Sequence, residues 1–270
     1  MTHARFADYV LDASSSDEEA RFDRLVTAVI DHPVEALDLA RLWLDLDEPR
    51  RSLAVELLTR FATHPKEAWR KAATPDITAL FDSRDTGLSS HHLASSVIAL
   101  GQLRYCDAFL AVVELATHAD AVVRDAVAYS LAPLMSTCPQ HADAGLGPLI
   151  NLADDPEPDV RDWALFGLAQ ILEASTPEAV GAFERHVDDE DEDARYQARV
   201  GLALTGDVES IRTVLEAEDP PLEVVEAAAR VGDASLSPAL LALRTRGWSG
   251  TPNALQDAID QSSDSSAATR

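Results

Sequence analysis

The residues best equipped for metal or nucleophilic chemistry in this sequence are eight histidines and two cysteines, and their spacing assembles neither kind of site. The histidines are scattered singly apart from His91-His92. Adjacent residues on a helix point about 100° apart, so this pair reads as a surface histidine beside a packed one. Cys106 and Cys138 belong to no CxxC or other metal-ligand spacing. They read as small buried hydrophobes in helical segments rather than as a redox pair. The acidic run at residues 188–193 lacks the glycine and closing glutamate of an EF-hand loop, and reads as a solvated helix start. HExxH, the phosphate-loop lysine motif and GxSxG are absent. No catalytic residue, metal ligand set or cofactor site follows from these residues. The feature that does stand out is a pair of large aromatics, Trp163 and Phe166, in "DDPEPDVRDWALFGLAQIL" at residues 154–172.

That segment reads as an acidic turn, a proline and a helix. Ala164, Leu165, Leu168, Ile171 and Leu172 form its packed stripe, and Asp162, Trp163, Phe166 and Gln170 lie off it. The segment is also one of a series. Related stretches centre on Arg51, Arg124, Arg161 and Arg195, the last three spaced by 37 and then 34 residues. Weaker units lie at residues 89–103 and around "DPPLEVVEAAARVGD", which lacks the arginine. Each unit has an apolar helix, a turn of Asp and Pro, and a second apolar helix. Proline suits the first helical position, and acidic residues at the second helix start interact favourably with its dipole. The repeat spacing carries Phe166 onto Tyr129 and Val200, Trp163 onto Ala126 and Gln197, and Asp162 onto Asp125 and Tyr196. A binding face is therefore expected from Tyr129, Asp125, Asp162, Trp163, Phe166, Gln170, Tyr196 and Gln197, with aromatic anchors and acidic edges. The competing expectation is that Trp163 and Phe166 simply fill gaps between adjacent repeats.

Asp and Pro in the turn, Val-Arg opening the second helix, then Ala and Gly-Leu, resemble the HEAT-like repeat. "DPEPDVRDWALFGLAQIL" is the strongest match, and the resemblance covers roughly residues 33–243. It implies an all-α solenoid of about five to six stacked antiparallel helix pairs, with the second helices lining the concave surface. It also implies that an Asp ending the first helix pairs with the Arg of the second, forming a ladder between repeats. The matching pairs are Asp45 with Arg51, Asp155 with Arg161, and Asp189 with Arg195, whereas Arg124 has His118 at the Asp position. Such pairs are expected to be structural. No hairpin of this kind buries its apolar stripe alone, so stacking is what completes the core.

The expected organisation is a capping helix region at residues 1–32, with Ser16 or Asp17 as N-cap, a repeat array at 33–246, and a C-terminal helix with a disordered tail at 247–270. "STCPQHADAGLG" reads as a longer inter-repeat loop. HEAT-like iron hydroxylases carry repeated His-Glu pairs, and here no histidine is followed by Glu. HEAT-like DNA glycosylases line their concave face with basic and aromatic residues, but the formal net charge here is -25, from 47 acidic and 22 basic residues. That surface repels phosphate backbones and anionic lipid alike. No apolar run approaches the ~20 residues of a membrane span, and the start lacks a secretory signal pattern, so a reducing cytoplasm is the expected setting. The chain is thus expected to be non-catalytic and to bind a protein or peptide, basic in character, on its concave face. An acidic antagonist masking a basic toxin or nuclease, and a HEAT-like lyase or glycosylase, are the alternatives.

Overall fold

The structure, a computed structural model, describes residues 3–15, 17–83 and 89–268. Among these residues there are sixteen α-helices and no strand. The helices are α1 (His3–Leu11), α2 (Glu18–Asp31), α3 (Pro33–Trp43), α4 (Arg50–Ala62), α5 (Glu67–Asp82), α6 (Ser90–Leu103), α7 (Phe109–Glu114) and α8 (Ala121–Thr137). They continue as α9 (Ala142–Leu152), α10 (Pro158–Phe166), α11 (Pro177–His186), α12 (Glu192–Leu204), α13 (Val208–Leu215), α14 (Leu222–Val231), α15 (Ser237–Arg246) and α16 (Pro252–Ala268). Taken in pairs, α3/α4 to α13/α14 make six helical hairpins, with α1/α2 and α15/α16 outside them. This is an all-α solenoid architecture of stacked antiparallel helix pairs.

The helices begin where short polar side chains satisfy the free N–H groups of a first turn. Asp17, Ser89, Asp120, Thr176, Asp191 and Asp207 each accept such a bond. Ser16, the other candidate cap, lies outside the described residues. Pro158 occupies the first turn of α10, and Pro49 is the residue just before α4.

Contacts divide the chain into two compact units, residues 1–145 and 146–270. In the first, the second helices α2, α4, α6 and α8 pack on one another in series, while the first helices meet each other little. In the second, α10 packs on α12 and α12 on α14, with α16 against α14. The second helices are thus the closer-spaced row within each unit. Small residues permit the tightest approaches. A Cβ on Gly101 of α6 would stand 2.6 Å from the Ser130 Cβ of α8, and one on Gly201 of α12 would stand 2.6 Å from ring carbons of the fully buried Phe183 on α11.

Four expectations are corrected. Cys106 and Cys138 are not separate thiols: they form a disulfide with Cα atoms 5.7 Å apart. Cys106 sits in the turn after α6 and Cys138 caps the end of α8, so chain positions 32 apart meet where two packed helices end. The expectation of a reducing compartment rested on the missing membrane span and secretory pattern, and the disulfide counts against it, since such bonds belong mostly to oxidising environments. The tail is not irregular, because α16 runs to Ala268. Leu255, Ala258, Ile259 and Ser262 give it a buried stripe at helical spacing, and Ser262 meets the Ser237 hydroxyl at 3.0 Å. "STCPQHADAGLG" is largely helical, containing the end of α8, a 3₁₀ turn and the start of α9. The N-terminal region holds two helices, α1 and α2, rather than one.

Gly201→Ala tests the close packing of α11 on α12. The added methyl meets the Phe183 ring with no room to shift, and should lower the unfolding free energy by about 1–3 kcal/mol in urea titrations. Gly147→Ala, where a Cβ meets nothing within 4 Å, serves as the control.

Candidate binding face

At each hairpin turn one helix ends and another begins, leaving backbone carbonyls without helical partners. At the turns before α8, α10 and α12 an arginine six residues further on covers them. Arg161 Nη1 donates to the carbonyls of Asp155 at 3.0 Å and Pro156 at 3.1 Å. Arg195 does the same to Asp189 at 2.6 Å, and Arg124 to His118 at 2.9 Å and Ala119 at 3.1 Å. The turn residue uses its side chain locally. Asp155, Asp189 and His118 each accept the N–H of the residue two further on, at 2.9–3.0 Å. Histidine therefore replaces aspartate at position 118 without loss of the turn. The within-repeat link of Arg161 to Asp155 and of Arg195 to Asp189 runs through a backbone carbonyl, not through a carboxylate as the resemblance implies.

The carboxylate of Asp189 instead reaches the preceding hairpin. Arg161 Nε and Nη2 fork onto it at 3.0 and 2.8 Å, and both side chains are buried. His186 Nδ1 meets the same carboxylate at 2.7 Å, and its Nε2 meets Asp154 at 2.9 Å, which Arg185 also grips by a fork. A continuous network thus joins two neighbouring repeats. Burial alone would raise the Asp189 carboxyl, but the Arg161 fork, the Asp191 N–H and the His186 ring together hold it far below the usual carboxylate range. Asp45 and Arg51 do not take part. No ion pair joins them among the described residues, and Arg51 Nε is buried without a hydrogen-bond partner. The equivalent clamp lies one turn later, where Arg70 donates to the carbonyls of His64 and Pro65. The pair α13/α14 lacks the turn arginine, and Arg246 of α15 reaches back to the carbonyls of Leu215 and Ala217.

On the second-helix face of the second unit, Trp163 and Phe166 are half-buried and meet edge to face, centroids 5.7 Å apart. Neither is pure filling and neither is fully free. Tyr196 of α12 is also half-buried, and burial pushes its hydroxyl pKa up, with Asp219 adding to the effect. Gln170 donates to Gln197 at 2.6 Å, tying the two helices across the face. Burial raises the Asp162 carboxyl, which the Gln197 amide offsets only in part. The helix does not end as its apolar pattern implies. Gly167–Ile171 is a π-turn, closed by the Leu172 N–H on the Gly167 carbonyl, with Glu173 at φ 45°. The wider turn rotates Ile171 and Leu172 out of the core to partial exposure, while Ala169 takes the buried place. Tyr129 and Asp125 lie on α8 of the first unit, where each lines a cavity of that unit.

One further constellation has the composition of a nucleophilic site. Ser52 Oγ donates to Glu48 at 2.5 Å and meets His92 Nε2 at 3.1 Å. The hydroxyl proton is directed at Glu48, so His92 is not placed to withdraw it, and burial lowers the pKa of that ring. No group of three or more His, Cys, Asp or Glu suited to a metal occurs among the described residues.

The model of the HEAT repeat family matches residues 146–232. Residues 146–232 are HEAT-like repeats, and the helical-repeat fold extends to the other described residues. This HEAT-like chain is 32% identical over 95 residues to protein YibA of Escherichia coli K12, a stretch covering 34% of each chain, so it spans about a third of that curated relative. The X-ray structure of Escherichia coli YibA superposes on 97% of this chain and 92% of that one, with TM-score 0.66 and 19% identity. An engineered protein covers 96% of this chain and 77% of its own, with TM-score 0.58 and 18% identity. A designed armadillo repeat protein in complex with peptide (KR)4 covers 84% and 99%, with TM-score 0.51 and 16% identity. These likenesses support the helical-repeat fold.

Asp189→Asn leaves the Arg161 guanidinium buried without its counter-charge and should cost about 3–5 kcal/mol of stability at neutral pH. The folded pKa of Asp189 is depressed, so its contribution is complete above the ordinary carboxylate range, about pH 4, and is lost as pH falls below it. Unfolding titrations between pH 7 and pH 2.5 should therefore show the two proteins converging in acid. A constant gap across that range would contradict the assignment.

Proposed function

We propose that this HEAT-like protein is a non-catalytic module that binds a protein or peptide segment of basic character on the second-helix face of residues 146–270. The observation that carries this reading is the pairing of partly exposed aromatics with acidic surroundings. Trp163, Phe166 and Tyr196 offer ring area with little entropy to lose, the usual anchors of a binding patch. Residues 146–270 hold 25 acidic side chains against 9 basic ones, which steers a cationic segment and repels nucleic acid. The designed armadillo repeat protein bound to (KR)4 offers a precedent for a stacked-helix protein taking up a basic peptide. No helix among the described residues is long and apolar enough to cross a membrane. An antagonist that masks a basic toxin would use the same chemistry on a folded partner.

A fluorescein-labelled alternating Lys-Arg octapeptide provides the test. Anisotropy titration should give saturable binding at 50 mM salt that weakens at least tenfold at 300 mM, because exposed charge pairs are screened within about 10 Å. Trp163→Ala should weaken binding about tenfold, equivalent to about 1.4 kcal/mol, while far-UV circular dichroism stays unchanged. No binding at low salt, or unaltered affinity in that variant, would contradict the reading.

A further inference from the structure

Two adjoining cavities in the first unit are lined by arginine although the chain as a whole is strongly acidic. One, of about 540 Å³, includes Thr63, Arg70, Gln102, Arg104 and Tyr129 in its walls. The other, of about 440 Å³, shares Thr63 and Gln102 and adds Phe22, Arg60 and Glu56, whose carboxylate is held by Arg21. Five different helices and the turns after two of them supply these residues, so no local motif announces the site. Volumes of this size match small-molecule sites rather than protein-docking surfaces.

Arg70 and Arg104 form no ion pair among the described residues. Arg70 Nη1 clamps the carbonyls of His64 at 2.6 Å and Pro65 at 3.3 Å, as Arg161 Nη1 clamps its own turn. Arg161 then forks its other edge onto Asp189, whereas no carboxylate among the described residues lies within ion-pair distance of Arg70. Arg104 is the left-handed residue that ends α6, at φ 53°, and has no acidic partner among the described residues either. Arg60 stacks on Phe22, 4.1 Å from the ring centroid, with Nε buried and unbonded. Its neighbour Glu56 is engaged by Arg21. Burial lowers the Arg60 pKa, and the nearby Glu56 charge offsets that only in part. Gln102 Oε1, at the junction of the two cavities, is buried without a hydrogen-bond partner.

We propose that these cavities form a binding site for a small polycarboxylate, whose carboxylate takes on Arg70 and Arg104 the place that Asp189 takes on Arg161. The guanidinium fork matches a planar carboxylate in two parallel bonds, and this chain already uses that match in an identical turn. Arg60 supplies charge to the second compartment, and the Gln102 amide supplies a polar contact between the two. The site belongs to residues 1–145 and is independent of the aromatic face.

Isothermal titration calorimetry of the full chain with succinate, citrate and inorganic phosphate, at constant ionic strength, tests this. Saturable binding of succinate or citrate is expected, tighter than phosphate. Arg104→Gln removes an exposed charge and should weaken it at least tenfold. Arg70→Lys, which keeps the charge but loses the fork, should weaken it similarly, with circular dichroism confirming the fold. Should Arg70→Lys fail to fold, Arg104→Gln decides alone. Absence of saturable carboxylate binding, undiminished binding by Arg104→Gln, or tighter binding of phosphate than of either carboxylate would overturn the proposal.

Discussion

A helical hairpin leaves carbonyl groups at its turn that neither helix can bond, and a stack of hairpins leaves one such set per repeat. In this protein a single side chain meets that need and the need for registry together. Arg161 places one nitrogen on two turn carbonyls and its remaining edge on the carboxylate that organises the next turn. Asp189 is shared in the same way, accepting the Asp191 N–H within its own turn and the guanidinium from the hairpin before. The burial of both groups makes the link sensitive to loss of either partner, and its value lies in fixing orientation as much as in stability.

With turns registered in this manner, small residues along the helices can meet at short range. Gly201 under the Phe183 ring and Gly101 against Ser130 bring neighbouring helices close. The second-helix row then offers a stepped surface of ring edges and amides. The Gln170–Gln197 bond and the Trp163–Phe166 contact lie across successive steps of that row, or along one of them. The π-turn at Gly167 shifts the helical register there, and Ile171 and Leu172 are partly exposed in consequence.

The helical repeat class was legible because its signals are local. Apolar spacing, a proline at the first turn of α10 and the recurrent turn arginine all lie within one hairpin. The partial exposure of Trp163 and Phe166 was legible for the same reason, as an excess over the packed stripe. The route of the ladder was not. The residue six before the arginine supplies its backbone carbonyl, and a carbonyl has no signature in sequence, so Asp and His serve alike at 155 and 118. The Cys106–Cys138 bond depends on two helix ends meeting in space, and the arginine-lined cavities depend on residues drawn singly from several helices. The π-turn carries no distinctive residue beyond Gly167, and the stripe of α16 was masked by the serines and aspartates around it.

The most direct test of the shared turn is native-state amide hydrogen exchange on α10 and α12 in the wild type and in Arg161→Gln. If the fork couples neighbouring hairpins, protection should fall in both helices by similar factors, since each loses its registry with the other. Loss confined to α10, with α12 exchanging as in the wild type, would contradict the coupling and leave Arg161 as a cap for its own turn alone.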